Sequence, residues 1–279
     1  MTARPAACPA CRESRLVTAL RVGAVEVRRC VGCGLGRTVP TPAEADGRER
    51  FVGDPAYFRD AMAQPKDQWW HRFNRAPLAL LEAAGAPPGL RLLDVGCNVG
   101  YLVAAARERG FRAHGLDGSA AAVAAGRATL GVELQAGRIE TAAVARASQD
   151  VVVLNHVLEH LPEPRAVLDA AHGWLTPGGW LVIGLPNFAS PIARWAGARW
   201  AGLVLDQHIW HFTPGALSRM VASAGFVRIR WRTCMLAYAP RGLAGWAKWL
   251  VRLGLEPLGA ADNLLLVARR APASRTSVP

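Results

Sequence analysis

RLLDVGCNVGYLVAAARERGFRAHGLD, residues 91–117, decides the fold. Leu92-Leu93-Asp94-Val95 is a short apolar strand carrying a carboxylate near its end. Gly96-Cys97-Asn98-Val99-Gly100 is a glycine turn. Tyr101 to Arg109 is a helical run, and Ala113 to Leu116 begins a second strand closed by Asp117. A strand, glycine turn, helix and strand, with an acidic residue about 20 positions after the turn, brings backbone N–H groups close to a ligand. The second carboxylate then accepts hydrogen bonds from a ribose.

The same alternation continues downstream. Ala120 to Thr129 reads as a helix, Val132 to Gln135 as a strand, Asp150 to Leu154 as an apolar strand and Arg165 to Leu175 as a helix. Pro177-Gly178-Gly179 is expected to turn into a strand over Trp180 to Gly184. Leu217 to Ala224 reads as a helix, Phe226 to Thr233 and Asn263 to Ala268 as strands. Strands alternating with helices predict a Rossmann-like α/β fold, a doubly wound, mostly parallel seven-stranded sheet covered on both faces. Upstream, Gln68 to Ala84 reads as a helix.

The first forty residues form a separate unit. Cys8-Pro-Ala-Cys11 and Cys30-Val-Gly-Cys33 are two C-x-x-C pairs, 18 residues apart, holding four of the six cysteines. That spacing fits a tetrahedral zinc site made by Cys8, Cys11, Cys30 and Cys33. Leu16 to Val22 and Val25 to Arg29 read as a hairpin turning at Gly23-Ala24, so the unit is expected to be a small zinc ribbon. Four thiolates close the coordination sphere, which makes the zinc structural. The expected domains are a zinc-ribbon-like module over 1–40, a linker over 41–65, the α/β domain over 66–270 and a disordered tail over 271–279.

Hydrophobic residues make up 51% of the 279, enough for a sizeable core. The net charge of +12 is uneven: residues 187–279 hold twelve basic and three acidic residues, beside six of the ten tryptophans. Basic and aromatic surface suits a phosphorylated substrate, nucleic acid or an anionic membrane face. Lysine is nearly absent and no aromatic-basic RNA motif occurs, which disfavours nucleic acid. The N-terminus lacks an apolar stretch of about 7–15 residues, and prolines and glycines break the charge-free run from Ala170 to Ala193. A cytoplasmic chain without a transmembrane segment is expected. Trp246, Trp249, Leu250 and Leu253 share one face of a possible helix within 240–258, a candidate for peripheral membrane contact.

Asp94-x-Gly96-x-x-x-Gly100 departs from the dinucleotide fingerprint, because Asn98 stands where a second glycine would be. It resembles the first motif of class I S-adenosylmethionine (SAM) methyltransferases. DVVVLNHVLEHLPEPRAVLDAAHGWLTPGGWLVIGLPN, residues 150–187, is similar to the fourth and fifth strand region of that family. CPAC…CVGCGLGRTVPTP…DPAYF and the 187–226 segment resemble bacterial methyltransferases of sugar and polysaccharide biosynthesis that carry a zinc-ribbon leader.

The resemblance implies a donor site. Asp94, Gly96, Cys97, Asn98 and Gly100 belong to the motif, and Gly96 to Gly100 would wrap the amino-acid end of SAM. Asp117 would bind the ribose hydroxyls. Arg138 and Ile139 would lie near the adenine, and Asn155 and His156 near the sulfonium. Methyl transfer needs an aligned acceptor and a base for its proton. His208 and His211, in the loop after the fifth strand, are the candidate bases, followed by His156, Glu159 and His160. His156-Val-Leu-Glu159-His160 also spells H-x-x-E-H, a zinc-protease signature. Here it follows a strand and soon meets Pro162, so a turn with donor-pocket contacts is expected instead of a metal-binding helix. The implied activity is O- or C-methylation of a small molecule, a nucleotide-linked or lipid-linked sugar or glycan intermediate. An RNA base methyltransferase and a non-enzymatic SAM-fold binding module are the alternatives.

Overall fold

The structure, a computed structural model, describes residues 7–41, 69–235 and 254–272. Most of the expected linker and tail, and most of the 240–258 segment, lie outside the described residues.

Seven strands form one sheet in the order β10-β11-β8-β7-β4-β5-β6. They are β4 (Arg91–Val95), β5 (Arg112–Asp117), β6 (Leu134–Ala136), β7 (Gln149–Asn155), β8 (Leu175–Pro186), β10 (Phe226–Cys234) and β11 (Asn263–Arg270). Strands β6, β5, β4, β7 and β8 pair in parallel; β11 against β8 and β10 against β11 are antiparallel. The expected seven-stranded, mostly parallel sheet is therefore present.

Alternation along the strands explains why helices cover both faces. Leu93 and Val95 of β4, with Val152 and Leu154 of β7, share a core with helices α4 (Pro164–Trp174) and α5 (Pro214–Ser223). Leu92, Val151 and Val153 point the other way, toward α1 (Trp69–Ala83), α2 (Tyr101–Glu108) and α3 (Ala120–Leu130). Strands buried on both sides read as unbroken apolar runs, as Val151 to Leu154 do. Arg91 clamps the start of β4 to β7: its Nε and Nη2 donate to Asp150 Oδ2 and Oδ1 at 3.0 and 2.9 Å.

Side-chain caps set the helix starts. Ser119 Oγ accepts from Ala122 N–H at 3.1 Å, and Thr213 Oγ1 from Ala216 N–H at 3.2 Å. One expected turn is different. Thr176 to Gly179 lie inside β8 as a bulge, since Leu175 pairs with Gln149 and Trp180 already pairs with Val151. The extra residues are absorbed within the strand, with Gly178 at φ +75°.

A second sheet, in the order β1-β2-β3-β9, joins β1 (Leu16–Val22), β2 (Val25–Cys30) and β3 (Gly36–Val39) to β9 (Trp210–His211). The first three come from the cysteine-bearing unit and the last from the loop after β8. Gly36 pairs with His211 and Arg37 with Trp210. Cys8, Cys30 and Leu35 share the core cluster of Ile209, Trp210 and Phe212. The N-terminal unit is thus stitched to the larger domain through main-chain and apolar contacts.

Candidate functional site

The chain runs outward from β4 to β5 and β6, then returns to β7 on the other side of β4. The crevice at the carboxyl ends of β4 and β7 is the topological switch point of an open α/β sheet, where ligands bind. The glycine loop fills this place. Gly96 and Cys97 N–H both donate to Leu116 C=O, at 2.7 and 3.2 Å, which ties the loop to β5.

Asp117 fastens the loop's tip. Its Oδ2 accepts from Asn98 N–H at 2.7 Å and its Oδ1 from Ser119 N–H at 2.8 Å. Burial raises the Asp117 pKa, and these two N–H groups oppose the rise. Asp94 lies beneath, buried, its pKa pushed well up by desolvation and then by the Asp117 charge. Asn98 sits at φ +51° and its Oδ1 accepts from Val99 N–H at 2.7 Å. Asparagine tolerates this left-handed backbone, so it can replace the glycine without opening the loop.

Gly96 is fixed more tightly. It holds φ +74°, and a Cβ there would lie 2.6 Å from Val157 Cγ2, in the turn after β7. We expect Gly96→Ala to cost about 1–2 kcal/mol in backbone strain and about 1–3 kcal/mol in overpacking, with weakened SAM binding. An unchanged denaturant midpoint would show that the loop does not close on Val157.

The other residues expected on the donor side follow β5 and β7. Gly137 N–H donates to Asp117 C=O at 2.9 Å, which places exposed Arg138 and half-buried Ile139 just beyond the end of β5. Asn155 ends β7. His156 follows at φ +57°, its N–H bound to Gly184 C=O at 2.7 Å and its ring 4.3 Å from that of Phe73.

Leu158–His160 is a short 3-10 turn, as the nearby proline implied, and it buries Glu159 to 1% exposure. Burial alone would raise the Glu159 pKa. The hydrogen bond from His156, then the charges of His156, His160 and His208, oppose this and lower it to about 2. His156 Nδ1 lies 3.1 Å from Glu159 Oε1.

His208 and His211 are brought to this turn by the loop between β8 and β9. They are 6% and 3% exposed. Desolvation lowers the pKa of His208 to about 3 and that of His211 to about 4, so both are neutral imidazoles at pH 7. Thr38, from the N-terminal unit, holds them. Its Oγ1 donates to His208 C=O at 2.7 Å and lies 2.9 Å from His211 Nε2. The hydroxyl's single proton goes to the carbonyl, so His211 Nε2 carries a proton and donates to Thr38. Glu159, Phe188, Trp200, His208, Trp210 and His211, among others, pack around a spot too tight to hold a water molecule.

The four cysteines converge as their spacing implied. Cys8 Sγ lies 3.6 Å from Cys33 Sγ, and Cys11 Sγ 3.5 Å from Cys30 Sγ. All four sulfurs lie within 4.8 Å of one another, and none is in a disulfide. Sulfurs on a tetrahedral zinc, each about 2.3 Å from the metal, would stand about 3.8 Å apart.

A family model described as a methyltransferase domain matches residues 69–230. The chain belongs to this family. The matched segment contains every residue expected on the donor side, from Asp94 to His156, and it excludes the cysteine-bearing unit. Ubiquinone biosynthesis O-methyltransferases are among the chain's relatives. That of Psychrobacter arcticus is 35% identical over 50% of this chain and 60% of its own length. That of Bordetella avium is 32% identical over 53% and 67%. That of Burkholderia pseudomallei is 28% identical over 62% and 83%. The chain therefore spans less than two thirds of the first of these.

Among solved structures, a Thermotoga maritima SAM-dependent methyltransferase, a possible histamine N-methyltransferase, aligns with TM-score 0.58 and 19% identity over 80% of this chain and 98% of its own. The Burkholderia thailandensis 1,6-didemethyltoxoflavin-N1-methyltransferase, solved with its acceptor and S-adenosylhomocysteine, gives 0.54 and 18% over 91% and 99%. At these identities the likeness shows the fold. The chain carries a class I SAM-dependent methyltransferase domain.

Two features of the methyltransferase's site had no sequence signal. Thr38 is an isolated threonine, and its bridge to His208 and His211 exists only because β3 pairs with β9. Val157 is one apolar residue among many, and only the sheet brings it against Gly96.

Proposed function

We propose that the protein transfers the methyl group of SAM to a hydroxyl oxygen of a small-molecule acceptor. The observation that carries this reading is the closed glycine loop, fastened by Asp117 at the switch point and abutting the turn that bears Glu159 and His160. The loop fits SAM: Asp117, at the end of β5, has acceptor capacity beyond its two N–H bonds. When bound, SAM supplies an electrophilic methyl on sulfur. The donor-side residues assigned to it are Asp94, Gly96, Cys97, Asn98, Gly100, Asp117, Arg138, Ile139, Asn155 and His156.

The chain must orient the acceptor and help remove its proton. We assign activation of the acceptor hydroxyl to His208, with His211 supporting it from the Thr38 side. The relatives' names favour oxygen as the target. A nucleotide-linked or lipid-linked sugar is the narrower reading, supported by Trp195, which is 85% exposed between exposed Arg194 and Arg199. Tryptophan faces suit sugar rings and arginine forks suit a diphosphate. Trp200, by contrast, is buried against Phe188 and is part of the loop's support. Incubation with nucleotide sugars and with simple phenols separates the two acceptor classes. Methylation of phenols alone would remove the sugar reading.

The cysteine cluster fits structural zinc, and a reducing, cytoplasmic compartment would keep its thiols available. No helix among the described residues is long and apolar enough to cross a membrane. Elemental analysis should find about one zinc per chain, lost in Cys30→Ser. SAM affinity should survive that change, because among the described residues the donor loop shares no hydrogen bond with the cysteine unit. Acceptor turnover should fall, because the unit holds the His208–His211 loop. A zinc-free wild type would contradict the assignment.

A further inference from the structure

We propose that the groove at the amino ends of β4 and β5 binds a phosphate ester, a small molecule of sugar-phosphate or nucleotide size. The groove has a volume of about 620 Å³, inside the range of small-molecule sites, roughly 300–1,000 Å³. It lies at the opposite end of the strands from the donor loop. The five residues of β4 separate the two, about 17 Å at about 3.3 Å per residue. A ligand held here does not reach the donor crevice, and its binding is independent of the methyl-transfer reading.

The topology leaves the space. Parallel strands are usually joined by a helix that covers one face of the sheet. The connection from β6 to β7 carries only a three-residue 3-10 turn, Ile139–Thr141, and no α-helix. Ile139, Ala142 and Val144 pack against the core, so this cover is partial. In the parallel ladder Arg91 pairs with Arg112 and Leu93 with His114. Arg91, Arg112 and His114 therefore share the face that the connection covers incompletely.

Unspent donors are the second argument. Arginines reach the groove from three elements: Arg91 from β4, Arg107 from α2 and Arg112 from β5. Arg91 gives two of its five N–H donors to Asp150. Arg112 gives its Nε to Gly89 C=O at 2.9 Å, which leaves its terminal nitrogens open. The exposed guanidinium of Arg107 has no hydrogen bond or ion pair among the described residues. Glu133 is the single carboxylate among the lining residues. Arginine forks match phosphate oxygens two at a time. His114 adds one N–H, because desolvation lowers its pKa and leaves the ring neutral at pH 7.

A buried amide is the third. Gln149, at the start of β7, lines the groove and is 7% exposed. Its Nε2 donates to Ser148 Oγ at 3.1 Å, yet its Oε1 has no donor among the described residues. An enclosed acceptor without a donor is costly, and a ligand hydroxyl or amine would satisfy it. Phe111 supplies an apolar wall beside it. Arginines and an amide in one groove select a phosphate whose body carries hydroxyl or amino groups, over bare phosphate.

The test is calorimetric titration of the full-length chain with AMP, glucose 1-phosphate and orthophosphate. Salt near 0.15 M screens the general pull of a chain of net charge +12. Saturating SAM keeps AMP out of the donor crevice. The expected result is one ester per chain, bound more tightly than orthophosphate, with no binding of adenosine or glucose. The tighter of the two esters tells a nucleotide site from a sugar-phosphate site. Arg107→Gln and Arg112→Gln should each weaken the ester at least about 10-fold, the loss of a hydrogen bond to a charged group. Gln149→Leu should remove the ester's advantage over orthophosphate. Arg29→Gln, at an exposed arginine of β2 outside the groove, should bind as the wild type does. Unchanged thermal midpoints show that the variants fold; if Arg112→Gln does not, the exposed and unpaired Arg107 decides. The proposal is wrong if neither ester binds, if orthophosphate binds as tightly as both, if Arg107→Gln binds as the wild type does, or if Arg29→Gln loses as much as the groove variants. A chain that binds the ester and not SAM would support this groove and sink the proposed function instead.

Discussion

Replacing Asp117 with alanine is expected to raise the dissociation constant for SAM by roughly 30–150-fold, equivalent to about 2–3 kcal/mol for lost hydrogen bonds to a charged group. The carboxylate has two tasks in the structure. It would receive the ribose hydroxyls, and it already accepts N–H bonds from Asn98 and Ser119. The variant therefore loses a ligand contact and the fastening of the donor loop. A SAM analogue lacking the 2′-hydroxyl separates the two. It should bind the wild type more weakly than SAM does, and it should bind Asp117→Ala about as well as SAM does, because coupled partners give non-additive losses. Calorimetry showing equal SAM affinity for Asp117→Ala and wild type would remove Asp117 from the donor site.

The second large effect concerns the acceptor side. His208→Ala should lower kcat by roughly 10²–10⁴-fold, the range for losing a group that manages the acceptor's proton. SAM affinity should hardly change, since His208 belongs to the β8–β9 loop and, among the described residues, makes no hydrogen bond to the glycine turn. His211→Ala should also slow turnover, through release of Thr38 and loosening of the loop. Near-normal kcat in His208→Ala on the true acceptor would move the role to Glu159 or His160. Loss of SAM binding would show instead that the loop is a structural lid.

The parallel sheet was legible because strands buried on both faces must be apolar throughout, and Val151 to Leu154 can be little else. The donor loop was legible because φ near +74° at Gly96 and +87° at Gly100 restricts those positions to glycine. The hairpin at Gly23-Ala24 and the cysteine convergence followed from short spacings along the chain.

What stayed hidden depends on partners far apart in sequence. β3 and β9 are only four and two residues long and lie about 170 positions apart, so neither carries enough periodicity to announce the pair. The expectation of a separate N-terminal unit followed from its composition, whereas its attachment through Thr38, Leu35 and Trp210 needed the fold. The Pro-Gly-Gly segment reads as a turn by residue type, yet the pull of the flanking ladder turns it into a bulge. The convergence of Glu159 and His160 with His208 likewise has no local signal, because a main-chain bond from Ile209 to Glu159 creates it.

The central claim is methyl transfer from SAM to a hydroxyl oxygen, and labelled SAM tests it most directly. The protein would be incubated with SAM carrying ¹³C in its methyl group and with a set of nucleotide sugars and phenols, and the products read by carbon NMR. The predicted result is a labelled methyl ether on one acceptor class, formed by wild type and strongly reduced with Asp117→Ala. Label appearing on carbon or nitrogen, or a wild-type chain that fails to bind SAM, would contradict it.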